Sequence, residues 1–354
     1  MITVFGATGY TGRLVSRALD VAGVPYRLAG RSAKRLAELS DTLVAKPEYV
    51  VVDARQVTDL PLLAKNTRVL INCVGPFTDL GEKVVRLAAL SGVAYLDTTN
   101  ELAFVLRLRP YDELAKRSGA ILVPSCGFEV ALADGAARLL AEQMLEDAYR
   151  RVDVVYRLSG KGASDGTRRS AIRSLATSWF VYRNGRLRGA LPGGQTRRFN
   201  LLNGRHEALA FPSCETATLP LHMKAEIIQS WMVGTKGMSL WAPFAVPLFA
   251  VLMRTVLQWL LLSALNLYPV AKAGIRDRDG FEVAVYLEGQ SGGKSELHIL
   301  GQGVYEQTAA VLTLAARRIL AGEVKEYGVL PPSAILGRSW LSELNLQVVG
   351  DWNG

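Results

Sequence analysis

Histidine and cysteine are the scarce residues of this chain, three of each in 354. Cys73, Cys126 and Cys214 are too few and too odd in number for a disulfide framework, and no two stand at CxxC spacing. A reducing compartment is expected on that basis, and with it a cytoplasmic protein. His206, His222 and His298 sit in no HExxH or nucleophile context, so no metal site is expected. The first apolar run begins at Ile2, which leaves no room for a charged leader and argues against secretion. No nucleic-acid-binding module is visible, and aromatics are few among the basic residues, so nucleic acid is not an expected partner.

Apolar residues and arginine are plentiful by contrast. Hydrophobic residues make up 49% of the chain, enough for sizeable cores. The length suggests about two domains. The net charge of +9 comes from one block: Lys and Arg against Asp and Glu number 17 and 17 in residues 1–149, 13 and 3 in 150–207, and 11 and 12 in 208–354. Such a block attracts phosphates, an acidic acyl carrier or an anionic membrane surface, unless it is simply a solvated face.

The run Ile2-Thr3-Val4-Phe5 feeds into Gly6-Ala7-Thr8-Gly9-Tyr10-Thr11-Gly12 and then into the helical stretch Arg13 to Ala22. A glycine trio between a strand and a helix is a dinucleotide fingerprint. Gly6 allows the tight turn, Gly9 lets backbone approach a pyrophosphate, and Gly12 allows close helix packing. The acid that binds a free ribose 2′-OH is missing after the second strand run, Tyr26 to Ala29, where Gly30-Arg31-Ser32 stands instead. Arg31 and Ser32 suit a 2′-phosphate, so NADP(H) is the expected cofactor. Further strand runs at 49–52, 69–73, 94–96 and 121–123 alternate with helical stretches, the pattern of a Rossmann, doubly wound parallel sheet. Asp53 follows the third run, and Cys73, Gly75 and Pro76 close the fourth. Together with Thr8, Tyr10 and Thr11 they complete the candidate cofactor contacts, at the carboxyl ends of strands. Asp79-Leu80-Gly81-Glu82 reads as a capping box ahead of a helix that stops at Gly92.

A second, α/β (α+β) substrate domain is expected over 126–325, after a nucleotide domain at 1–125 and before a closing segment at 326–354. In it, 151–158 reads as a strand and 166–182 as a helix ending at an Asn184-Gly185 turn. Two alternating runs at 281–289 and 295–303 read as a hairpin, followed by a helix at 305–321. Residues 240–267 are almost wholly apolar and long enough to span a bilayer, yet Pro243, Pro247, Arg254 and Gln258 interrupt them. The segment reads as a membrane-surface or substrate-cavity element, or as a core or homodimer contact.

These motifs, with Asn72-Cys73-Val74-Gly75-Pro76-Phe77, Tyr95-Leu96-Asp97, Glu101, Cys126-Gly127-Phe128 and the later Gly328 to Ala334, resemble the saccharopine dehydrogenase-like oxidoreductases, and within them the trans-acting enoyl reductase branch. The resemblance implies a Rossmann domain, a substrate domain and closing helices. It also implies NADP-dependent reduction, in some relatives of a polyketide-type lipid precursor, and membrane or lipid-droplet association in others. The chain departs from the family pattern at Glu129, where Asp is common, at Leu132, where Pro is common, and at Asn100, where Gly is usual.

Hydride transfer needs a proton donor, and Glu101 and Tyr305 are the candidates. Ser164, Thr167 and Ser170 are candidate substrate contacts. The expected function is NADPH-dependent reduction of a hydrophobic acyl or polyketide-like enoyl or carbonyl substrate. The alternatives are a saccharopine-type amino-acid dehydrogenase and a non-catalytic NADP-binding protein on membranes or lipid droplets.

Overall fold

The structure, a computed structural model, describes residues 1–159, 179–190, 194–253, 260, 263 and 279–351. The chain divides into two units. The first comprises Met1–Asn100, Phe104–Ala131 and Tyr305–Trp340, and the second Glu101–Ala103, Leu132–Val304 and Leu341–Gly354.

The first unit is built on β1 (Ile2–Phe5), β2 (Tyr26–Gly30), β3 (Tyr49–Val51), β4 (Val69–Asn72), β5 (Ala94–Asp97), β6 (Ile121–Val123) and the short strand Gly328–Val329. All pair in parallel, in the order Gly328–Val329, β6, β5, β4, β1, β2, β3. Every residue of β1, β2, β4, β5 and β6 is buried, as parallel strands covered on both faces require, and only the edge strand β3 is exposed. The helix Val304–Leu320 buries Val311, Leu312, Ala315, Ala316 and Ile319.

Sequence and structure part at two places in this unit. The helix Phe77–Ser91 starts at Pro76 with no side-chain cap bond, so Asp79 and Glu82 lie inside it and form no capping box. Glu82 instead accepts from the Tyr111 hydroxyl at 3.0 Å. The predicted stop at Gly92 is present, in the left-handed conformation with φ 65°. The predicted domain limits at 126 and 326 also differ from the observed division: Gly328–Val329 hydrogen-bonds to β6, which draws 305–340 into the first unit.

The second unit holds β7 (Tyr149–Leu158), β8 (Trp179–Arg183), β9 (Arg186–Ala190), β10 (Thr196–Leu201), β11 (Gly204–Phe211), β12 (Ala225–Val233), β13 (Gly280–Gly289), β14 (Lys294–Gln302) and the strand Gln347–Gly350. The sheet runs β10, β11, β12, β7, β13, β14, Gln347–Gly350, with β8 joined to β12 and β9 to β8. β12 and β7 are parallel; the other neighbours are antiparallel. The sheet curls at one end. The Tyr286 hydroxyl of β13 donates to the Asn200 carbonyl of β10 at 2.6 Å, and the Leu202 amide donates to Glu282 of β13 at 3.0 Å. Phe199, Trp231, Val155 and Ala284 form the core inside that curl.

The predicted hairpin around 290–294 joins β13 to β14, and Asn184-Gly185 turns β8 into β9 with φ of 52° and 68°. Residues 179–182 are strand, not the end of a helix, because they pair with β9 and β12; residues 166–178 lie outside the described residues. Within the apolar segment, the helix Met238–Met253 includes Pro243 and Pro247. Its first turn is held by Glu207 of β11, which accepts from the Ser239 hydroxyl at 3.2 Å. Met238, Ala242 and Ala250 are buried, while Leu240, Phe244 and Leu248 are 80%, 78% and 63% exposed. Among the described residues no helix is long and apolar enough to cross a membrane.

Candidate functional site

The carboxyl edge of the first unit's sheet gathers most of the predicted cofactor residues. After β1 the chain turns at Gly6, whose φ of +82° suits glycine. The Gly6 and Ala7 amides both donate to the Ala29 carbonyl, at 2.9 and 3.2 Å, and Gly9 N–H donates to the Gly6 carbonyl at 2.9 Å. A side chain at Gly12 would place Cβ 2.2 Å from the Gly6 carbonyl oxygen and 2.8 Å from Ala7 Cα. Gly12 therefore lets the helix Tyr10–Val21 press against the turn. Gly9 caps that helix without a side chain, so its positive end faces the turn. Thr8 is fixed through its carbonyl, which accepts from Arg13 Nε at 3.1 Å, and Thr11 belongs to the first turn.

Arg31 and Ser32 follow β2. Arg31 is exposed and makes no hydrogen bond or ion pair among the described residues. Ser32 caps the helix Ala33–Asp41, accepting from the Arg35 amide at 3.4 Å. Asp53 lies two residues beyond β3, where its carboxylate accepts from the Arg55 amide at 3.0 Å. That bond gives Asp53 a local turn-forming task.

The loop after β4 touches the glycine turn: a Cβ at Gly6 would come within 2.8 Å of the Val74 side chain and 3.1 Å of Cys73 backbone. Gly75 is exposed and joined to Pro76 by a cis peptide bond. Asn72 organises this loop, accepting from the Val74 amide at 3.0 Å and donating to the Tyr95 hydroxyl at 3.1 Å. Burial, with the nearby Asp97 charge, pushes the Cys73 thiol up to about 12 and the Tyr95 phenol well above its usual value. Both are therefore held in the protonated form at neutral pH.

Asp97 ends β5 fully buried and splices two loops together. Its Oδ1 accepts from the Thr99 and Ser125 amides at 2.9 and 2.8 Å, and its carbonyl accepts from Cys126 at 2.7 Å. Two positions that depart from the family pattern bond to each other: Asn100 Nδ2 donates to Glu129 Oε2 at 2.7 Å. The helix Val304–Leu320 closes the edge. Thr308 Oγ1 accepts from the Phe128 amide at 3.2 Å, and the Tyr305 ring meets the Tyr10 ring edge-on, centroids 4.9 Å apart.

Tyr305 thus stands beside the glycine turn. Glu101 is buried just ahead of the helix Leu102–Leu106 and is grouped with the second unit, so the two proton-donor candidates do not share a unit. Ser164, Thr167 and Ser170 lie outside the described residues. The loop-organising tasks of Asn72, Tyr95 and Asp97 are not readable from sequence. For Asn72 and Asp97 the one signal is a polar residue closing an otherwise apolar strand.

Residues 2–123 match the family described as the saccharopine dehydrogenase NADP binding domain. This segment is similar to that domain. The NADP-binding domain has a turn that requires glycine: backbone occupies the place that a Cβ at Gly12 would take, and the Val74 side chain with Cys73 backbone crowds the one at Gly6. A trans-acting enoyl reductase of Mycobacterium ulcerans is 32% identical over 195 residues, 51% of this chain and 47% of that protein. A lipid droplet localized protein of Caenorhabditis elegans is 29% identical over 171 residues, 45% of this chain and 40% of that protein. These matches span less than half the length of each relative. Apo saccharopine dehydrogenase (L-Glu forming) of Saccharomyces cerevisiae shares the fold, with a TM-score of 0.61 over 99% of both chains at 11% identity.

Proposed function

We propose that the chain is an NADPH-dependent reductase of a hydrophobic, acyl or polyketide-like enoyl or carbonyl substrate. The observation that carries this reading is the carboxyl edge of the NADP-binding domain, where the glycine turn, the unengaged Arg31 and the Tyr305 ring belong to one unit. Bound NADPH supplies a hydride there. The helix Tyr10–Val21 directs its positive end toward the pyrophosphate, and Arg31 with Ser32 receives the 2′-phosphate. Asn72 and Asp97 hold the loops after β4, β5 and β6, which orient the reacting groups. Tyr305 supplies the proton. A hydrophobic substrate accords with the apolar segment and with the name of the mycobacterial relative.

Fluorescence titration with NADPH and NADH tests the cofactor half of the reading. Arg31→Asp is expected to weaken NADPH by about ten- to a hundredfold, the worth of a charge-assisted hydrogen bond, with a much smaller effect on NADH. Equal losses for both cofactors would remove Arg31 from the 2′-phosphate, and a parent protein that binds NADH as well as NADPH would end the NADPH assignment. Consumption of NADPH across a panel of enoyl and carbonyl acyl thioesters tests the substrate half.

A second element of the proposal concerns location. The exposed apolar side of Met238–Met253, together with the arginines of β9 and β10, suits a cytoplasmic protein held peripherally on an anionic lipid surface.

A further inference from the structure

Beside its core, the curled sheet of the second unit carries a half-open cavity of about 400 Å³, lined from β7, β10, β13 and β14 and by Asp351. None of its lining residues belongs to the NADP-binding unit. On one wall, Asp153 is almost fully buried and fixes two guanidinium groups at once: Arg151 Nε and Arg197 Nη1 each donate to its Oδ2 at 2.6 Å. Its other oxygen accepts from Trp231 Nε1 at 2.8 Å. A guanidinium carries five N–H donors, so with one spent on Asp153 each arginine keeps four that engage no other partner among the described residues. One carboxylate against two guanidinium groups leaves this wall with a single net positive charge. Beside it lies an aromatic floor. Phe199 and Tyr286 stack with ring centroids 5.5 Å apart at 33°, and Arg197 lies 5.3 Å over the Phe199 ring. The opposite wall carries Glu288, Glu296 and Asp351 together with the cation Lys294.

We propose that this cavity is a binding site for a small carboxylate with a flat apolar body. The paired guanidinium groups offer the planar donor array that a carboxylate matches. Across the whole lining the cations Arg151, Arg197, Arg198 and Lys294 balance the carboxylates Asp153, Glu288, Glu296 and Asp351, so the local excess of one charge at the arginine pair suits a monoanion better than a dianionic phosphate. The partly exposed ring of Tyr286, backed by the buried Phe199, receives a flat body, and the volume suits a small molecule. Asp153 is a positioning residue here: it holds both arginines at the wall and touches no ligand. The site does not depend on the reductase reading, since the ligand meets only residues of the second unit.

Calorimetric titration of the full chain with sodium benzoate, at fixed ionic strength and without nucleotide, tests the proposal. Inorganic phosphate serves as the comparison probe. Benzoate is expected to bind saturably and at least about tenfold more tightly than phosphate. Arg197→Lys keeps a cation beside Asp153 but loses the planar fork, and is expected to weaken benzoate by about tenfold or more. Arg197→Gln is expected to weaken it further. Asp153 remains bonded to Arg151 and Trp231 in both variants, and an unchanged unfolding temperature confirms the fold. If Arg197→Gln fails to fold, Arg197→Lys decides. Arg186→Gln, outside the cavity, is expected to bind as the parent does. Absence of saturable benzoate binding, phosphate binding as tightly as benzoate, or unchanged affinity in Arg197→Lys would overturn the assignment.

Discussion

Tyr305 and Glu215 show how one side chain's surroundings set its task. Tyr305 meets Tyr10 through its ring, so Tyr305→Phe keeps that contact and removes only the hydroxyl. As the proposed proton donor its loss is expected to lower kcat by about a hundredfold or more, with NADPH affinity retained. A Tyr305→Phe enzyme at full rate would place the donor elsewhere. Glu215 is fully buried in the second unit, bonded by the Tyr156 hydroxyl and by Ser230 at 2.9 Å. Burial raises its carboxyl above the ordinary range, against the opposing effect of those hydrogen bonds. The folded chain thus keeps a proton that the unfolded chain releases near about pH 4.3. The associated stability is fully present below that pH and is lost as pH rises through the folded value. Glu215→Gln is expected to match the parent in acid and exceed it toward alkaline pH, read as denaturation midpoints across a pH series. Parallel decline of the two proteins would contradict this.

Elements differ in how far their own residues dictate their surroundings. The strands β1, β2, β4, β5 and β6 are apolar because both faces are covered, and their sequence says so directly. The helix Met238–Met253 is apolar on nearly every side, yet only a narrow stripe through Met238, Ala242 and Ala250 is buried. A helix of that composition is ordinarily buried all round or set in lipid. Replacing Leu240, Phe244 and Leu248 together by serine is expected to leave the unfolding temperature nearly unchanged, because these side chains are exposed. It should abolish flotation of the protein with vesicles containing anionic lipid. Unaltered flotation would remove this helix from the lipid contact, and flotation insensitive to salt would remove the arginines.

At the scale of the molecule, the first unit is not contiguous in sequence. The helix Val304–Leu320 and the strand Gly328–Val329 join it from beyond the second unit's sheet residues. A fragment ending at residue 131 lacks that strand and the buried Val311, Leu312 and Ile319, each worth roughly 1.5–3 kcal/mol when fully buried. It is expected to lose cooperative thermal unfolding, followed by circular dichroism, and to regain it when 305–340 is fused back through a flexible linker. A fragment 1–131 that unfolds cooperatively by itself would show the late elements to be dispensable.

By itself the sequence determined the first unit's strands and its glycine turn, because those features are local. Alternation and glycine spacing act within a few positions of each other. The sequence also carried the β13–β14 hairpin and the Asn184-Gly185 turn, whose chemistry lies in two to five neighbouring residues. It misled at Asp79–Glu82, where a capping pattern fell inside a helix already begun at Pro76, and at 179–182, where strand pairing overrode a helical reading. Only tertiary structure decided that 305–340 completes the first unit, that Asp97 joins two loops, that Asn100 bonds Glu129, and that Arg151 and Arg197 share Asp153. Apart from Arg151 beside Asp153 on one strand, each is a contact between residues far apart in the chain, and such pairings are set by the closing of sheets and hydrogen bonds in space, which no local pattern encodes.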